Sequence, residues 1–508
     1  CILGLAQLKL GKTQEAWRHI EHGLTTTSSD LDLKVKLGII KSQYEYDNSG
    51  KVGKICQNLI EQYESDLTEV YMYYGKILIE QLEIPAAIAV SKKVISLRPT
   101  ITAYRNLLSL LSGVHLYPEA IQYSDEAMER FPESLALCFD RLWLNKLLCD
   151  WDAYAACQAK LDILKQQVTN QNIYLMLTPF CAYVSYDDPA FCLSVAKAYC
   201  EANFISNKLY SHDREARKLK KELRVGYVSA CFKDHPTGRM LCHVFKQTSK
   251  KYQTYLYSLS GVTEDEYNTT LRESCDHFID IKNRTVNEIT EKIYHDDIDI
   301  LIDLDGYIRE NKFQIFASRP APIQISYLGF AGTTGANFID YIIADNVVIP
   351  EDQQQFYTEK VIYLPGCYQI NDSEQTELEQ AMRKKDYHVA AKTFIFACFN
   401  TAYKIDYETF KCWMTILKAV PESILWLIDN GEQVKNNIHA YAKKLKVDPE
   451  RICFLPYLNK PEHLARLRVV DLCLDTFICN AHSSAADALW SNIPIVTLQG
   501  KHFASRVC

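Results

Sequence analysis

The spacing of apolar residues changes part-way along the chain. In the first part they recur at helical spacing, and residues 86–99 resemble residues 119–132 in placing small side chains within a helix and a proline at its end. The offset of about 33 residues is the tetratricopeptide period, and residues 4–17 have the features of another copy. Because such helix pairs bury their apolar faces only by stacking, residues 1–135 are predicted to form an α-solenoid of TPR-like repeats.

Residues 136–222 keep helical spacing without the repeat, which predicts a connecting helical region ending in a charged run. Beyond it, short β-rich runs alternate with helical segments, the pattern of a parallel sheet with crossover helices. Two such series occur, at residues 223–370 and 393–508, separated by a polar linker at residues 371–392. The predicted strands are 223–229, 255–259, 298–304, 323–328 and 341–344, then 394–399, 423–428, 452–454, 470–474 and 495–498. The predicted fold is therefore an α-solenoid followed by two Rossmann-like α/β lobes, the second incomplete, with ligand binding in the cleft between them.

Composition narrows the classes of function. The 508 residues carry a net charge of −7 without a long basic run, which argues against nucleic acid as a partner. The 18 cysteines show no CxxC pair or zinc spacing, which is typical of buried thiols in a reducing compartment, so we expect a cytoplasmic protein. No apolar run is long enough to cross a membrane. Residue 1 is Cys rather than Met, so we expect the sequence to be part of a longer protein.

Two adjacent serines follow a predicted strand and open a predicted helix. Ser483 and Ser484 offer hydroxyl and main-chain N–H donors at the positive end of the helix dipole, which favours an anion. Asp487 follows about one helical turn later, where its carboxylate is placed to accept ribose hydroxyls. Taken alone, the same residues fit a capped turn between a strand and a helix.

Basic side chains follow other predicted strands. Lys404 lies at the ligand edge of the second lobe, where an amine neutralises a departing phosphate oxygen. Lys460, His463 and Arg466 open a helix and offer donors and a flat ring to a base or ribose. His235 lies in a turn after the first strand, where a histidine accepts a proton or holds a sugar hydroxyl. Each of these residues taken alone also fits a surface or structural role.

A glycine-containing loop follows the predicted strand at residues 323–328. Gly329 and Gly332 allow close backbone approach and expose N–H groups to phosphate or sugar oxygens. The loop is not a P-loop, because no Gly-Lys-Ser/Thr follows. Asp303 and Asp305 have the spacing of a metal-binding pair, but the first falls in a predicted strand and the second in a turn, so we assign no metal.

Taken together and in this order, the motifs resemble the O-GlcNAc transferase family, in particular its bacterial and SPINDLY-like branch. The resemblance covers most of the chain. It is carried by residues 149–151, 223–229, 234–238, 303–307, 319–324, 327–335, 340–342, 364–369, 399–400, 403–406, 475–476, 479–480, 482, 487, 489–490 and 504–507. It implies a GT-B glycosyltransferase with tetratricopeptide repeats that moves GlcNAc from UDP-GlcNAc to Ser or Thr hydroxyls of proteins, with inversion and without a metal or other cofactor. The acceptor protein would then lie along the TPR groove.

The resemblance also implies roles for individual residues. It places the diphosphate on Lys404, Ser483 and Ser484 beside His482, the ribose on Asp487, the base between Lys460, His463 and Arg466, the sugar near Cys479, and His235 as the proposed general base.

Some positions depart from the family pattern. Thr401 stands where many members have Gln, Ala331 replaces a Pro, and a Ser pair replaces a Thr pair at residues 483–484. Three alternatives therefore stay open: transfer of another sugar, from GDP-fucose or UDP-glucose; attack by an Asn acceptor; and a catalytically inactive TPR scaffold.

Overall fold

The computed structural model describes residues 56–57, 60, 68–80, 83–165, 174, 176–204, 206, 209–212, 222–247, 252–308, 311–375 and 382–508. The chain divides into two compact units at the boundary between Leu144 and Asn145. The predicted repeat copy at residues 4–17 lies outside the described residues.

The described part of the first unit consists of helices joined by short turns. Its helices are α1 (Thr68–Glu80), α2 (Ile84–Leu97), α3 (Ile101–Gly113), α4 (Tyr117–Arg130) and the start of α5 (Leu135–Leu147). Helix α3 begins where the Thr100 hydroxyl accepts a hydrogen bond from the N–H of Ala103 at 3.2 Å. Successive helices α1 to α4 pack against one another, and Tyr104, Leu107 and Leu111 are buried on one face of α3. This is the stacked helical array that the repeat pattern predicts.

The second unit begins with helices that contact both α/β lobes. These helices are α6 (Trp151–Lys165), α7 (Pro179–Ser185) and α8 (Pro189–Asn203). The Trp151 indole donates to the carbonyl oxygen of Ile405 at 3.2 Å, and its ring lies 4.6 Å from that of Tyr441 in the second lobe. The Tyr183 hydroxyl accepts a hydrogen bond from the N–H of Thr333 in the first lobe at 3.1 Å. The connecting helices therefore support loops of both lobes.

The first lobe is a parallel α/β layer. Its strands are β1 (Leu223–Ser229), β2 (Tyr252–Ser258), β3 (His277–Asp280), β4 (Ile300–Asp303), β5 (Ile323–Ser326), β6 (Tyr341–Ala344) and β7 (Lys360–Tyr363), and its helices are α9 (Pro236–Leu241), α10 (Glu266–Ser274), α11 (Val286–His295) and α12 (Gln314–Ala317). In the described part, the strand order is β3-β2-β1-β4-β5-β6-β7, all pairs being parallel. Val228 of the interior strand β1 pairs with Tyr257 and Asp303. The loop that carries His235 therefore leaves the middle of the sheet at its carboxyl edge.

The second lobe repeats this plan. It contains β8 (Phe394–Cys398), α13 (Tyr407–Ala419), β9 (Ser423–Ile428), α14 (Glu432–Lys444), β10 (Ile452–Leu455), α15 (Lys460–Leu467), β11 (Leu472–Leu474), α16 (Ser483–Trp490) and β12 (Ile495–Val496). The parallel strands have the order β10-β9-β8-β11-β12 among the residues described. Because β8 and β11 are neighbours, the loops that follow them, one with Lys404 and one with Ser483, emerge side by side.

Two strands of the first lobe, β3 and β7, were not predicted. Both lie at the outer edges of the sheet, and their side chains are only partly buried or exposed. Edge strands of this kind lack the continuous apolar run by which buried strands are identified. The predicted strand at residues 323–328 is also shorter, because Leu328 has a φ of 71° and so cannot continue a strand.

Two predictions concern the chain as a whole. Among the described residues, no helix is long and apolar enough to cross a membrane. The described cysteines are free thiols, and most of them are buried.

Candidate active site

A cleft opens between the two lobes. The residues that line it are Pro236, Arg239, Met240, Asn371, Gln375, Lys460, Ser483, Ala486 and Asp487. They come from α9 of the first lobe, the linker, and helices α15 and α16 of the second lobe. The sequence predicted a site between the lobes, and three of its predicted residues line this cleft.

Lys404 is fixed beside the start of α16. Its Nζ donates to the carbonyl oxygen of Asn480 at 2.6 Å, in the turn that precedes this helix. Burial acts to lower the pKa of Lys404, but the neighbouring Cys479, Tyr403 and Asp475 outweigh it and raise the pKa, so the amine is charged. A fixed cation therefore adjoins the helix N-terminus.

The first residues of α16 carry the paired serines. Their main-chain N–H groups belong to the first turn of the helix, where no intrahelical acceptor is available. The Ser484 hydroxyl donates to Asn400 Oδ1 at 2.7 Å, whereas Ser483 lines the cleft. The two hydroxyls therefore differ in role, although their positions in the sequence are equivalent.

A buried polar network holds this turn in place. Asp475 follows β11 and accepts hydrogen bonds from Asn400 Nδ2 at 3.2 Å and from the Ala481 N–H at 2.6 Å. Asn400 Nδ2 also donates to the Thr476 hydroxyl at 2.9 Å. The network joins the loop after β8 to the turn before α16, so it orients the groups that were predicted to bind phosphate.

Lys460 and Asp487 form a buried ion pair across helices α15 and α16. Lys460 Nζ donates to Asp487 Oδ1, and the two side chains are only 10% and 11% exposed. Burial raises the pKa of Asp487, and the positive charges of Lys460 and Arg239 oppose this rise. The second oxygen, Oδ2, lies 3.9 Å from His463 Nε2. Asp487 itself is among the residues that line the cleft.

His463 and Arg466 pack behind this pair. Arg466 Nη2 donates to His463 Nδ1 at 2.7 Å, which leaves the ring proton on Nε2 because a guanidinium only donates. Burial and the charges of Arg466 and Lys460 lower the pKa of His463 to about 3, so the ring is neutral. The Phe399 ring meets the imidazole edge-on at 5.1 Å and the guanidinium at 4.5 Å.

Cys479 and His482 occupy the turn between β11 and α16. Cys479 is buried, and its carbonyl oxygen accepts a hydrogen bond from the Thr476 hydroxyl at 2.6 Å. His482 Nε2 lies 3.4 Å from the carbonyl oxygen of Ala504. Burial and the nearby charge of Lys404 lower the pKa of His482 to about 3. Both residues thus lie close to Lys404, and their contacts with the sugar and the phosphate stay predictions.

His235 ends the loop after β1 and caps α9. Its Nδ1 accepts a hydrogen bond from the N–H of Thr237 at 3.3 Å, and Pro236 and Arg239 follow on the cleft wall. The acceptor role of Nδ1 places the ring proton on Nε2 in the neutral form. His235 therefore directly precedes the part of α9 that lines the cleft.

Close packing of the loop explains why glycine occupies positions 329 and 332. A Cβ at Gly329 would lie 1.9 Å from the carbonyl oxygen of Leu304, and one at Gly332 would lie 2.5 Å from the ring of Tyr183. The loop thus fits tightly against β4 and α7, and neither glycine is among the residues lining the cleft. Ligand binding by their N–H groups stays a prediction.

Asp303 and Asp305 in the first lobe accept hydrogen bonds from neighbouring residues of the protein. Asp303 accepts from the N–H groups of Asp305 and Gly306 at 3.0 and 3.1 Å, and Asp305 accepts from the Ser229 hydroxyl at 2.6 Å. Burial and the adjacent Asp305 raise the pKa of Asp303 to about 7. These contacts account for both carboxylates without a ligand.

Sequence reasoning missed two kinds of site residue. Arg239 lines the cleft, and its charge reaches both His463 and Asp487. Asn400 positions Ser484, and Asp475 positions the turn. Both polar residues follow strands of the second lobe, and that location is the signal by which they could have been found.

Two parallel-sheet lobes that close on a cleft with helix N-termini and fixed cations define the GT-B class of glycosyltransferase fold. The profile of glycosyl transferase family 41 matches residues 148–385 and 376–508, so the chain belongs to this family. The resemblance to O-GlcNAc transferases is thereby confirmed.

Individual relatives agree with this assignment. The chain is 33% identical over 375 residues to the probable UDP-N-acetylglucosamine–peptide N-acetylglucosaminyltransferase SEC of Arabidopsis thaliana, covering 71% of this chain and 38% of the relative. It is 28% identical over 298 residues to the probable enzyme of the same type named SPINDLY of Solanum lycopersicum, covering 56% and 31%. The chain thus spans about two fifths of the curated relatives' length or less.

A solved structure has the same fold. A variant of the O-GlcNAc transferase of Thermobaculum terrenum matches with a TM-score of 0.62 at 22% identity, over 95% of this chain and 85% of that chain. The predicted fold, a helical array followed by two GT-B lobes, is therefore confirmed.

Proposed function

We propose that this chain is the donor-binding and transfer region of a protein O-GlcNAc transferase. It moves GlcNAc from UDP-GlcNAc to Ser or Thr hydroxyls of proteins, with inversion at the anomeric carbon and without a metal ion. The observation that carries the proposal is the cleft itself, in which Ser483 and the Lys460–Asp487 pair face α9 of the other lobe. The names of the SEC and SPINDLY relatives supply the donor and the peptide acceptor.

Charge on the leaving group is the central problem of this reaction. As the bond between the anomeric carbon and the diphosphate oxygen breaks, negative charge accumulates on the diphosphate. Lys404 and the N–H groups at the start of α16 are held in place by the Asn480 carbonyl oxygen and the Asp475 network. Because these donors need no reorganisation, they stabilise the charge that a metal ion neutralises in other transferases.

The other half of the cleft suits a nucleoside. Asp487 Oδ2 is placed to accept ribose hydroxyls, while Oδ1 stays paired with Lys460. Neutral His463 and the aromatic ring of Phe399 lie behind the pair and exclude water. Lys460 retains N–H donors for an oxygen of the base.

The acceptor attacks from the side opposite to the diphosphate. A hydroxyl oxygen bonds to the anomeric carbon while the diphosphate leaves, and the hydroxyl proton passes to a base. His235 directly precedes Pro236 and Arg239 of the cleft wall, and we assign it the holding of a sugar or acceptor oxygen. This positioning role fits its tautomer better than that of the first proton acceptor.

Two wider proposals accompany this function. The free, mostly buried thiols fit a reducing compartment, so we place the protein in the cytoplasm. The helical repeats offer a surface for the acceptor protein, which we place along their groove.

The test is peptide labelling by the full-length protein with a panel of UDP- and GDP-sugars. Labelling of Ser or Thr with UDP-GlcNAc that disappears in Lys404→Ala supports the proposal. Labelling only with GDP-fucose or UDP-glucose, or only at Asn, overturns the donor or the acceptor assignment. Binding of UDP-GlcNAc without any transfer to peptide or water would identify a scaffold.

A further inference from the structure

A cluster of three metal-ligating side chains lies beside the cleft. It joins the end of α9 to the inter-lobe linker, and consists of Cys242, His243 and Asp372. Their ligand atoms all lie within 4.8 Å of one another. The two segments are 129 residues apart in the sequence, so no motif reveals the cluster.

The distances within the cluster match the coordination shell of a small ion. His243 Nδ1 lies 2.9 Å from Asp372 Oδ1, and Cys242 Sγ lies 3.3 Å from His243 Nδ1 and 3.4 Å from Asp372 Oδ2. Zinc bonds of about 2.0 to 2.3 Å in a tetrahedron place neighbouring ligands about 3 to 4 Å apart. The observed distances between the ligand atoms need only small adjustments to admit an ion.

A second layer of charge orients the histidine. Glu374 Oε2 lies 3.5 Å from His243 Nε2, and Lys246 Nζ lies 3.9 Å from the same carboxylate. A carboxylate behind the outer nitrogen of a histidine favours the tautomer whose inner nitrogen is free to bind a metal. Cys242 and Asp372 are almost fully buried, so the ligands are already ordered.

We propose that Cys242, His243 and Asp372 bind one Zn²⁺ ion, with water as the fourth ligand. The mixture of one sulfur, one nitrogen and one oxygen donor suits a borderline ion such as Zn²⁺ rather than Mg²⁺ or Ca²⁺. Binding deprotonates the Cys242 thiol and releases that proton to solvent, while the His243 ring proton resides on Nε2 toward Glu374. The neutral histidine keeps its single ring proton, so one proton leaves for each ion bound.

The ion would tie the linker to the first lobe. Asn371 and Gln375 flank Asp372 and line the cleft, and α9 lines it from the other side. The three ligands themselves are not among the lining residues, so the ion positions the wall of the cleft and takes no part in sugar transfer. Metal binding can therefore be measured separately from the proposed transfer.

The experiment uses Co²⁺ as a spectroscopic probe of metal-free protein. We expect one equivalent to bind with a thiolate-to-metal absorption band and tetrahedral visible bands, both displaced by Zn²⁺. Cys242→Ser should lose the thiolate band, and Glu374→Gln, which changes the carboxylate behind His243 and leaves the three ligands in place, should weaken binding by about 10- to 100-fold. Affinity should fall as the pH is lowered, because the thiol must lose its proton.

A cysteine outside the cluster supplies the control for the Cys242 substitution. Cys367 is exposed and lies outside the cluster, so Cys367→Ser should keep the band and the stoichiometry. Circular dichroism of the metal-free variants establishes that they are folded. A wild-type protein without a thiolate band, or an unchanged band in Cys242→Ser, overturns the proposal whatever the transferase assay shows.

Discussion

Lys404 Nζ donates to the main-chain oxygen of Asn480 at 2.6 Å, and this bond spans two loops that leave neighbouring strands. Asn480 is itself held by a hydrogen bond from its N–H to the carbonyl oxygen of Ala504 at 2.8 Å. The amine therefore has a fixed position relative to the N-terminus of α16 before any ligand arrives. A fixed charge stabilises a transition state without reorganisation, which is why this contact matters for transfer.

Replacing Lys404 by Met should lower kcat for peptide labelling by about 10²- to 10³-fold, the usual loss when one fixed donor to a developing charge is removed. The side chain keeps a similar volume, so the fold should persist. Steady-state kinetics with saturating donor measures the effect on kcat.

Lys411→Met is the matched control for this substitution. Lys411 lies on α13, is half exposed and pairs with Glu408 at 3.3 Å, so its loss should leave kcat unchanged. An equal fall in both variants, or an unchanged kcat in Lys404→Met, would contradict the assignment of Lys404 to the leaving group.

The two serines at the start of α16 should respond differently to removal of the hydroxyl. Ser484 donates to Asn400 Oδ1 within a buried network, so Ser484→Ala should lower the free energy of unfolding by about 1 kcal/mol. Ser483 lines the cleft, so Ser483→Ala should leave stability unchanged and raise the KM for the nucleotide sugar several-fold. Urea denaturation and donor titration of both variants separate the two effects, and a reversed pattern would reject the division of roles.

The sequence and the structure agree best where the signal is local. The runs around Val228 and Leu425 are continuous and apolar, so their strands could be predicted. Strands β3 and β7 could not be predicted, because edge positions bury only part of each side chain. The family resemblance predicted Lys404 near Ser483, and the structure supplies the physical reason, since the parallel neighbours β8 and β11 share a ligand edge.

Contacts between residues that are far apart in the sequence could not be predicted. Each partner of the Lys460–Asp487 ion pair was predicted, but as a separate ligand contact. Arg239 was not predicted, because its role depends on the first lobe closing over the second. Packing between lobes has no periodicity in the sequence, so only the three-dimensional structure reveals it.

Removing only one partner of the Lys460–Asp487 ion pair should lower the free energy of unfolding. Lys460→Met leaves the Asp487 carboxylate buried without its partner, which costs about 3 to 5 kcal/mol for a fully buried pair. The double variant Lys460→Met with Asp487→Leu should recover most of this loss in urea denaturation, because it removes both charges. Additive losses in the double variant would show that the two residues are not coupled.

Chelation should separate transfer from metal binding. Transfer by Lys404 and the N–H groups of α16 needs no ion, so EDTA should leave kcat unchanged in full-length protein. The same treatment should lower the thermal midpoint by removing the ion held by Cys242, and it should not lower that of Cys242→Ser. Loss of transfer on chelation that Mg²⁺ or Mn²⁺ restores would contradict the proposed leaving-group chemistry.

The neutral state of His463 predicts how stability depends on pH. Its pKa is lowered to about 3 in the folded protein by burial and by the nearby cations, whereas an unfolded histidine titrates near about 6.5. The unfolded state therefore binds one more proton between these values, so the stability present above about pH 6.5 is lost as the pH falls. The slope is about 1.4 kcal/mol per pH unit for this residue.

His463→Gln should remove that contribution, because the amide oxygen can accept from Arg466 but does not titrate. We expect the difference in unfolding free energy between wild type and variant to shift by about 1.4 kcal/mol between pH 6 and pH 5. Urea denaturation at each pH measures it, and His295→Gln, at an exposed position on α11, should show a parallel profile to wild type. If the stability of His463→Gln instead varies with pH in parallel with wild type, the imidazole titrates normally. That result would contradict the assignment of His463 to a buried, positively charged wall of the nucleoside site.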